Sequence, residues 1–195
     1  MPDRFLSTAC NEGYSCMHEL SLRPAEAADH ENLKLGLIAL QAHESALHDS
    51  RLDPAATAEP YLAWMLGQVA AADGLCLVAR QQDSFVGFIA GWVEKAENPA
   101  ETDDSTTFGY ISDICLLPRW RGLGLSGQLL AAMEQHFSGR AIRRLRISTL
   151  ANNRAALGAY RSAGFQPYEM TLEKLVGEKL IEETSSADKS ADASG

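Results

Sequence analysis

The residues best suited to chemistry form a glycine-rich turn in the middle of the chain, Arg119-Trp120-Arg121-Gly122-Leu123-Gly124. An apolar stretch precedes it, and a run with helical spacing of leucines follows. A helix N-terminus offers backbone N–H groups without partners and a partial positive charge. Glycines let the backbone approach a ligand closely, and the two arginines add charged donors. The turn therefore predicts a binding site for a phosphate or diphosphate group.

The turn is compatible with two classes of ligand that contain a diphosphate. The spacing Gly122-x-Gly124-x-x-Gly127 matches the fingerprint of NAD(P)-binding proteins. That fingerprint also requires an acidic residue about 20 residues further on, to bind the ribose. Residues 142–150 contain no acid, and too little chain follows Leu150 to complete a doubly wound sheet. A nicotinamide-binding protein is therefore the less favoured alternative.

The second class of ligand is acyl-CoA, and two sequence blocks support it. The block from Arg119 to Gly124 fits the pattern Arg/Gln-x-x-Gly-x-Gly/Ala in full. A second block follows at suitable spacing, Asn153-x-x-Ala156-x-x-x-Tyr160-x-x-x-Gly164-Phe165. Together the two blocks resemble the GNAT superfamily of acyl-CoA-dependent N-acyltransferases, over roughly residues 17–176.

The resemblance implies that acetyl-CoA binds as the acyl donor in a gap between strand 108–117 and strand 142–150. It also implies that the pantetheine arm bonds to the backbone at Leu116 and Leu117 and contacts Asn153. The diphosphate is expected at the motif that begins with Arg119. Its ligands are expected to be the backbone amides of Arg121, Gly122, Leu123, Gly124, Leu125 and Ser126.

Two residues are expected to carry the chemistry. Tyr160 occupies the position of the family's general acid, which protonates the leaving thiolate. The general base is predicted from the residues themselves. Asp113 lies in a strand covered on both faces, where an unpaired carboxylate is costly and its pKa rises toward neutrality. Glu169, His43, His48 and a chain of waters remain as alternatives.

The reaction is expected to be a direct attack of an amine on the thioester in a ternary complex. Cys115 is expected to be a core residue rather than an acyl carrier, because no histidine lies near it in the sequence. A backbone N–H at Leu116 or Leu117 is expected to stabilise the oxyanion. The rival function is a catalytically silent CoA-binding sensor or interaction module of the same fold.

The acceptor is expected to be a primary amine of a small molecule or peptide, and no motif names it. The acidic segment 94–104 would suit a cationic acceptor, although a solvated loop is the commoner structure for such a run. Tyr61, Trp64 and Met65 are expected in the core rather than in an acceptor pocket.

Composition limits the other classes of function. The 195 residues carry 17 Lys and Arg against 26 Asp and Glu, a net charge of −9, which disfavours generic nucleic-acid binding. Within residues 119–161, however, there are eight arginines and a single acid, Glu134, and such a basic sector suits a bound polyanion or the acidic face of a partner. No apolar run approaches the length of a membrane helix, and no secretory signal is evident. Four scattered cysteines form no metal motif. We expect a cytoplasmic protein without a metal, and the resemblance makes a homodimer possible.

These residues require an α/β scaffold. Apolar periodicity predicts the order β-αα-βββ-α-β-α-β, a mixed sheet with helices on both faces, and the resemblance adds a central splay. The predicted elements are strand 17–23, helix 25–48, a helix starting at Pro60, strands 75–79, 85–93 and 108–117, a helix from about residue 122, strand 142–150, helix 153–163 and one or two strands in 165–176. We expect an irregular extension 1–16, an N-acetyltransferase domain 17–177 and a disordered polar tail 178–195.

Overall fold

The computed structural model describes residues 20–176. Within them the chain forms five strands: β1 (Ser21–Pro24), β2 (Leu75–Gln81), β3 (Ser84–Lys95), β4 (Thr107–Leu116) and β5 (Leu145–Ile147). It also forms five α-helices: α1 (His30–Ser45), α2 (Pro54–Ala71), α3 (Asp103–Thr106), α4 (Ser126–Ser138) and α5 (Arg154–Ser162). Short 3-10 turns lie at Ala27–Asp29 and Pro118–Trp120. The predicted extension 1–16 and tail 178–195 lie outside the described residues.

The strands form one mixed sheet in the order β1-β2-β3-β4-β5. The first four strands pair antiparallel, and β4 pairs parallel with β5. The predicted mixed α/β class is confirmed. None of the described helices combines the length and the apolar character that crossing a membrane requires.

Helices cover both faces of the sheet, as predicted. On one face α1 and α2 pack against β3, where Met65 and Phe88 are fully buried. On the other face α4 packs against the same strand, and Met133 and Ile89 are fully buried there. Burying a side chain of this size stabilises the fold by roughly 1.5–3 kcal/mol. The shared sheet therefore holds α1, the end of β4 and α4 in a fixed arrangement.

The second helix begins earlier than predicted. α2 starts at Pro54, where the Asp53 carboxylate caps it by accepting the backbone N–H of Ala56 at 2.8 Å. The backbone N–H of Thr57 donates to the carbonyl of Asp53 at 3.2 Å, so helical hydrogen bonding begins upstream of Pro60. Pro60 lies inside the helix, where its missing N–H removes one helical hydrogen bond. The prediction of a helix start at Pro60 is therefore wrong, because the cap at Asp53 fixes an earlier first turn.

Two other helix boundaries also differ from the prediction. The predicted helix 25–48 is divided into a 3-10 turn and α1, which ends at Ser45. The helix predicted from about residue 122 begins at Ser126. Gly122 and Gly124 cannot belong to it, because their φ angles of 76° and 75° lie in the left-handed region.

The chain after α5 contains no strand within the described residues, so the strands predicted in 165–176 are wrong. The predicted strand 142–150 is also shorter, since β5 covers only Leu145–Ile147. β5 is the last strand of the sheet, and its outer edge has no partner among the described residues. The alternating apolar side chains after α5, Tyr168, Met170 and Leu172, are exposed.

Candidate active site

A gap opens in the sheet where β4 and β5 diverge, as predicted. β5 pairs with β4 only from Gly109 to Ile111, whereas β4 continues to Leu116. The backbone of 112–116 therefore has an edge without a strand partner among the described residues. A cavity of about 660 Å³ lies at this edge. Its walls come from α1, β4, the glycine-rich turn, α4 and α5.

A β-bulge in β4 decides which side chains face which layer of helices. Ile111 and Asp113 pair with consecutive residues of β3, so Ser112 is an extra residue without a partner across the sheet. A bulge re-aims the side chains that follow it. Ile111 belongs to the α4 layer, whereas Asp113 contacts Tyr61 of α2. The bulge thus turns the Asp113 carboxyl toward α2.

The glycine-rich turn presents a row of backbone N–H groups at the cavity. The five N–H groups of residues 122–126 have no hydrogen-bond partner within the part of the chain that the structure describes. We call these five groups the amide row. The left-handed conformations of Gly122 and Gly124 lie within it, and consecutive N–H groups in such alternating conformations form anion-binding concavities. A Cβ atom added at either glycine would meet no atom within 4 Å, so the space beside them is open. The amide row therefore fits a diphosphate.

The two arginines of the turn have different surroundings. The Nε of Arg121 donates to the carbonyl of Leu116 at 2.8 Å, and its Nη2 donates to the carbonyl of Ala39 at 3.4 Å. Arg121 therefore ties the turn to β4 and α1. The guanidinium of Arg119 lies 5.2 Å from the ring centre of Trp120, and it makes no ion pair with any residue in 20–176. Arg121 is the one of the two that lines the cavity, whereas Arg119 has no charged partner among the described residues.

The backbone at the end of β4 offers one donor rather than two. The N–H of Leu117 donates to the carbonyl of Val86 at 2.9 Å, so of the two N–H groups expected to stabilise the oxyanion, the one at Leu117 is already engaged. Successive residues of an antiparallel strand direct their N–H groups to opposite sides. The N–H of Leu116 therefore points away from β3 and toward the gap. Leu116 is the residue that can place a donor beside a bound thioester.

Tyr160 lies on α5 and lines the cavity. Its hydroxyl has no hydrogen-bond partner among residues 20–176. Burial, together with the negative charges of Glu44 and Asp113, raises the pKa of Tyr160 above its ordinary value. The phenol therefore remains protonated at neutral pH and can donate a hydrogen bond into the cavity.

Asn153 has a structural role in addition to its place on the cavity wall. Its side-chain oxygen accepts the backbone N–H of Ala156 at 3.2 Å and so caps α5. The side-chain amide still has its two N–H donors, and the residue lines the cavity. The cap fixes the start of α5, and hence the position of Tyr160 two turns later.

Asp113 is a buried carboxyl group, 4% exposed, with no cationic partner among the described residues. The hydroxyl of Tyr61 donates to both of its oxygens at 3.1 Å, and the hydroxyl of Ser112 donates to Oδ2 at 2.5 Å. Burial raises the pKa of Asp113 to about 6, against the opposing effect of these hydrogen bonds. The carboxyl does not itself line the cavity, so its role as general base stays a prediction.

The chain matches the model of the acetyltransferase (GNAT) family over residues 39–165, well over half of its length. It belongs to this family. The match includes the end of β4, the amide row, Asn153 and Tyr160, which are the residues that surround the cavity. The resemblance of the two sequence blocks is thereby confirmed.

Known GNAT proteins and related structures resemble this chain to different extents. YycN, an uncharacterized N-acetyltransferase from Bacillus subtilis (strain 168), is 30% identical over 86 residues, which is 44% of this chain and 53% of YycN. The chain thus matches about half the length of that relative. A GCN5-related N-acetyltransferase from Ralstonia eutropha JMP134 superposes with a TM-score of 0.63 at 21% identity, over 82% of this chain and 100% of the other. AAC(6')-Iy, solved with a bisubstrate analogue of CoA, superposes with a TM-score of 0.58 at 16% identity, over 81% and 98%.

The remaining base candidates lie in different places in this GNAT fold. His43 lines the cavity from α1. His48 lies beyond the end of α1, with its ring nitrogens 3.4 Å from Asp49 and 3.3 Å from Glu173. Glu169 is exposed on the segment after α5. Of the predicted alternatives, only His43 borders the cavity.

Glu44 is a cavity residue that the sequence motifs do not reveal. It follows His43 on α1 and lines the same wall. The signal that could have revealed it is helical spacing: Leu40, His43 and Glu44 are at positions i, i+3 and i+4, on one face of α1. An acidic residue at the end of an otherwise apolar face toward the sheet is a candidate for a ligand contact.

The acidic segment 94–104 is partly neutralised by arginines of β5 and its flank. Arg144 pairs with Asp104 at 3.0 Å. Arg146 donates to the carbonyl of Ser105 at 3.0 Å and lies 3.8 Å from Glu101. Two arginines of the basic sector are therefore engaged with this segment. No group of three His, Cys, Asp or Glu side chains within 20–176 could hold a metal ion.

The three apolar residues that we expected in the core divide between core and surface. Met65 is fully buried, and Tyr61 is partly buried against the same layer. Trp64 is 48% exposed, so its assignment to the core is wrong. Its ring packs edge-on against Trp92 at 5.6 Å. Cys115 is a core residue, since its thiol is buried and donates to the carbonyl of Gly36 at 3.1 Å.

Proposed function

We propose that the protein is an acetyl-CoA-dependent N-acetyltransferase that moves an acetyl group to a primary amine of a small molecule or peptide by direct transfer. One observation carries the proposal: the amide row, without partners in 20–176, lies at the rim of a cavity that also contains the hydroxyl of Tyr160. Family membership supports the same activity, because the match covers this whole arrangement.

Residues of this chain would bind acetyl-CoA, the acyl donor, through its diphosphate, its pantetheine arm and its thioester carbonyl. The amide row would bind the diphosphate, assisted by Arg119. The side-chain amide of Asn153 would contact the pantetheine arm. The N–H of Leu116 would donate to the thioester oxygen, where negative charge develops as the amine attacks, and such preorganised donors are a major source of catalysis.

The proposed reaction forms a C–N bond and breaks the C–S bond of the thioester. The attacking nitrogen must lose a proton, and the leaving sulphur must gain one. Tyr160 would donate to the sulphur as its charge develops. Asp113 would be the final proton acceptor, reached through the hydroxyl groups of Tyr61 and Ser112. Positioned acid–base groups of this kind contribute typically about 10²–10⁴-fold.

Direct transfer is preferred to an acyl-enzyme because Cys115 is poorly suited to act as a nucleophile. Burial raises the pKa of its thiol to about 11, and a thiolate is the reactive form. The thiol also points to the carbonyl of Gly36 rather than to a basic side chain.

The test combines calorimetry of CoA binding with thiol release from acetyl-CoA over a panel of amines. We expect the wild-type protein to bind CoA and to release thiol with at least one amine. Tyr160→Phe should lower turnover by about 10²-fold or more with CoA affinity unchanged. Tyr168→Phe, which alters an exposed tyrosine outside the cavity, is the matched control.

The possible results separate the candidate functions. CoA binding without thiol release on any amine would favour the silent CoA-binding module. Absence of CoA binding would contradict both functions. Equal turnover in wild type and Tyr160→Phe would remove Tyr160 as the acid. The predicted homodimer and cytoplasmic location stay predictions.

A further inference from the structure

Glu44 contributes a carboxylate to the cavity that the proposed mechanism does not use. It lies near the C-terminal end of α1, on a different wall of the cavity from Tyr160 of α5. Its side chain is 23% exposed, so it is neither a solvated surface group nor a sealed core group. A carboxylate at the edge of a cavity requires hydrogen-bond partners. Among the described residues, only one of the two oxygens of Glu44 has such a partner.

One oxygen of Glu44 is occupied and the other is available. The Nε of Arg51 donates to Oε2 at 2.6 Å. Oε1 has no hydrogen-bond partner within residues 20–176. The contact with Arg51 fixes the orientation of the carboxylate, because a charge-assisted hydrogen bond of this length is strong and directional.

The wall that carries Glu44 is tied to the wall that carries Tyr160. The side-chain amide of Asn152 donates to the carbonyl of Leu47 at 2.7 Å. This bond joins the chain after α1 to the residue before the cap of α5. This hydrogen bond therefore helps to hold Glu44 and Tyr160 at a fixed separation.

The groups around Glu44 include acids and arginines, and the arginines are engaged elsewhere than at Oε1. Burial raises the pKa of both Asp113 and Tyr160, and the charge of Glu44 adds to this effect. Arg51 is engaged with Oε2, and Arg121 is held by the carbonyls of Leu116 and Ala39. Oε1 is therefore the oxygen of Glu44 that can bind an added positive charge on the cavity side.

We propose that Oε1 of Glu44 binds the ammonium group of the acceptor, and that the acceptors are therefore amines that are cationic at neutral pH. The inference rests on the proposed function and names its substrate class. An alkyl ammonium has three N–H donors and a pKa near ~10.4 if it is lysine-like, so it is charged when it arrives. Glu44 is here an acceptor-binding residue.

The experiment measures amine binding to the CoA-loaded protein by calorimetry, and so does not depend on turnover. The probes are 1,4-diaminobutane and neamine as cations, and butane-1,4-diol as a neutral analogue of the diamine. We expect wild type to bind at least one cation, and the diol at least tenfold more weakly than the diamine. Glu44→Gln should weaken the binding of that cation at least tenfold and leave CoA affinity unchanged.

The matched control is Glu31→Gln, which changes an exposed glutamate on the first turn of the same helix. Glu31→Gln should change neither the affinity for the cation nor the affinity for CoA. Equal cation affinity in wild type and Glu44→Gln would overturn the inference, and so would failure of both cations to bind wild type. If Glu44→Gln does not fold, Glu44→Asp, which withdraws the carboxylate by one methylene group, takes its place and should also weaken the binding of the cation. Thiol release by wild type on any amine separates these results from failure of the proposed function.

Discussion

The two sides of the cavity are built from different parts of the chain. The side that we assign to the acyl donor, formed by the end of β4 and the amide row, is made of backbone groups held by Gly122, Gly124 and Arg121. The side that we assign to the acceptor is made of side chains near the end of α1, such as His43 and Glu44. A binding site made of backbone N–H groups requires glycines at fixed spacing, and this spacing is visible in the sequence. A binding site made of side chains from separate segments has no such spacing pattern.

Gly124→Val should give the largest effect and should affect the donor side alone. A β-branched residue at a φ of 75° is strongly disfavoured, so the amide row should change its conformation. We expect CoA affinity to fall by about 100-fold or more, which corresponds to about 2.8 kcal/mol. Calorimetry with CoA measures this directly.

The control for this variant is Gly67→Ala on α2. Gly67 has open space around it, lies in the helix interior and does not line the cavity. The change should raise the free energy of unfolding by roughly 0.5–1 kcal/mol, because alanine loses less backbone entropy than glycine. CoA affinity should not change. Normal CoA binding by Gly124→Val would show that the backbone of the turn does not hold the ligand.

Asp113→Asn should change how stability depends on pH. The folded-state pKa of about 6 lies above the ordinary value of 3.8, so between these values the folded protein holds a proton that the unfolded chain has lost. Stability therefore falls as pH rises through that window. From pH 4.5 to pH 8 we expect wild type to lose about 2 kcal/mol more than Asp113→Asn does.

Urea unfolding of both proteins at the two pH values measures this difference. Parallel pH curves would mean that Asp113 keeps an ordinary pKa and is not a buried acid. The same variant tests the acceptor side of the mechanism, since loss of the proton acceptor should lower turnover without changing CoA affinity.

Arg146→Lys should give the smallest effect, because Arg146 does not line the cavity. The guanidinium lies 3.9 Å from the ring centre of Phe108 and 4.3 Å from that of Tyr168, and it donates to Ser105. Lysine cannot reproduce this planar stacking with the same hydrogen bonds. We expect a loss of about 1–2 kcal/mol in unfolding free energy, measured by urea unfolding.

Arg143→Lys is the control, because Arg143 makes no ion pair with any described residue. It should be neutral within about 0.5 kcal/mol. If Arg146→Lys weakened CoA binding, residues outside the cavity lining would also contribute to the donor side.

The sequence predicted most of the fold and the donor side, for physical reasons. The apolar spacing of α4 and the breaker residues around it are local signals, and the motif from Arg119 to Gly124 determines a backbone shape. The availability of a single N–H depends on pairing across the sheet, so the occupied N–H of Leu117 could not be foreseen. The bulge at Ser112 likewise depends on the register of β3 against β4.

The rest of the molecule was predicted less well, because its parts meet only in the folded chain. The place of Glu44 on the cavity wall depends on the orientation of α1 relative to α5. The exposure of Trp64 depends on what covers α2. The segment 165–176 has strand-like alternation, but a strand requires a partner edge as well as a pattern.

The most direct test of the central claim follows the backbone amides of 122–126 by NMR during titration with CoA and with pantetheine. If the amide row holds the diphosphate, CoA should shift these five signals strongly, and pantetheine, which lacks the diphosphate, should leave them nearly unchanged. Equal shifts with both ligands, or none with CoA, would contradict the account.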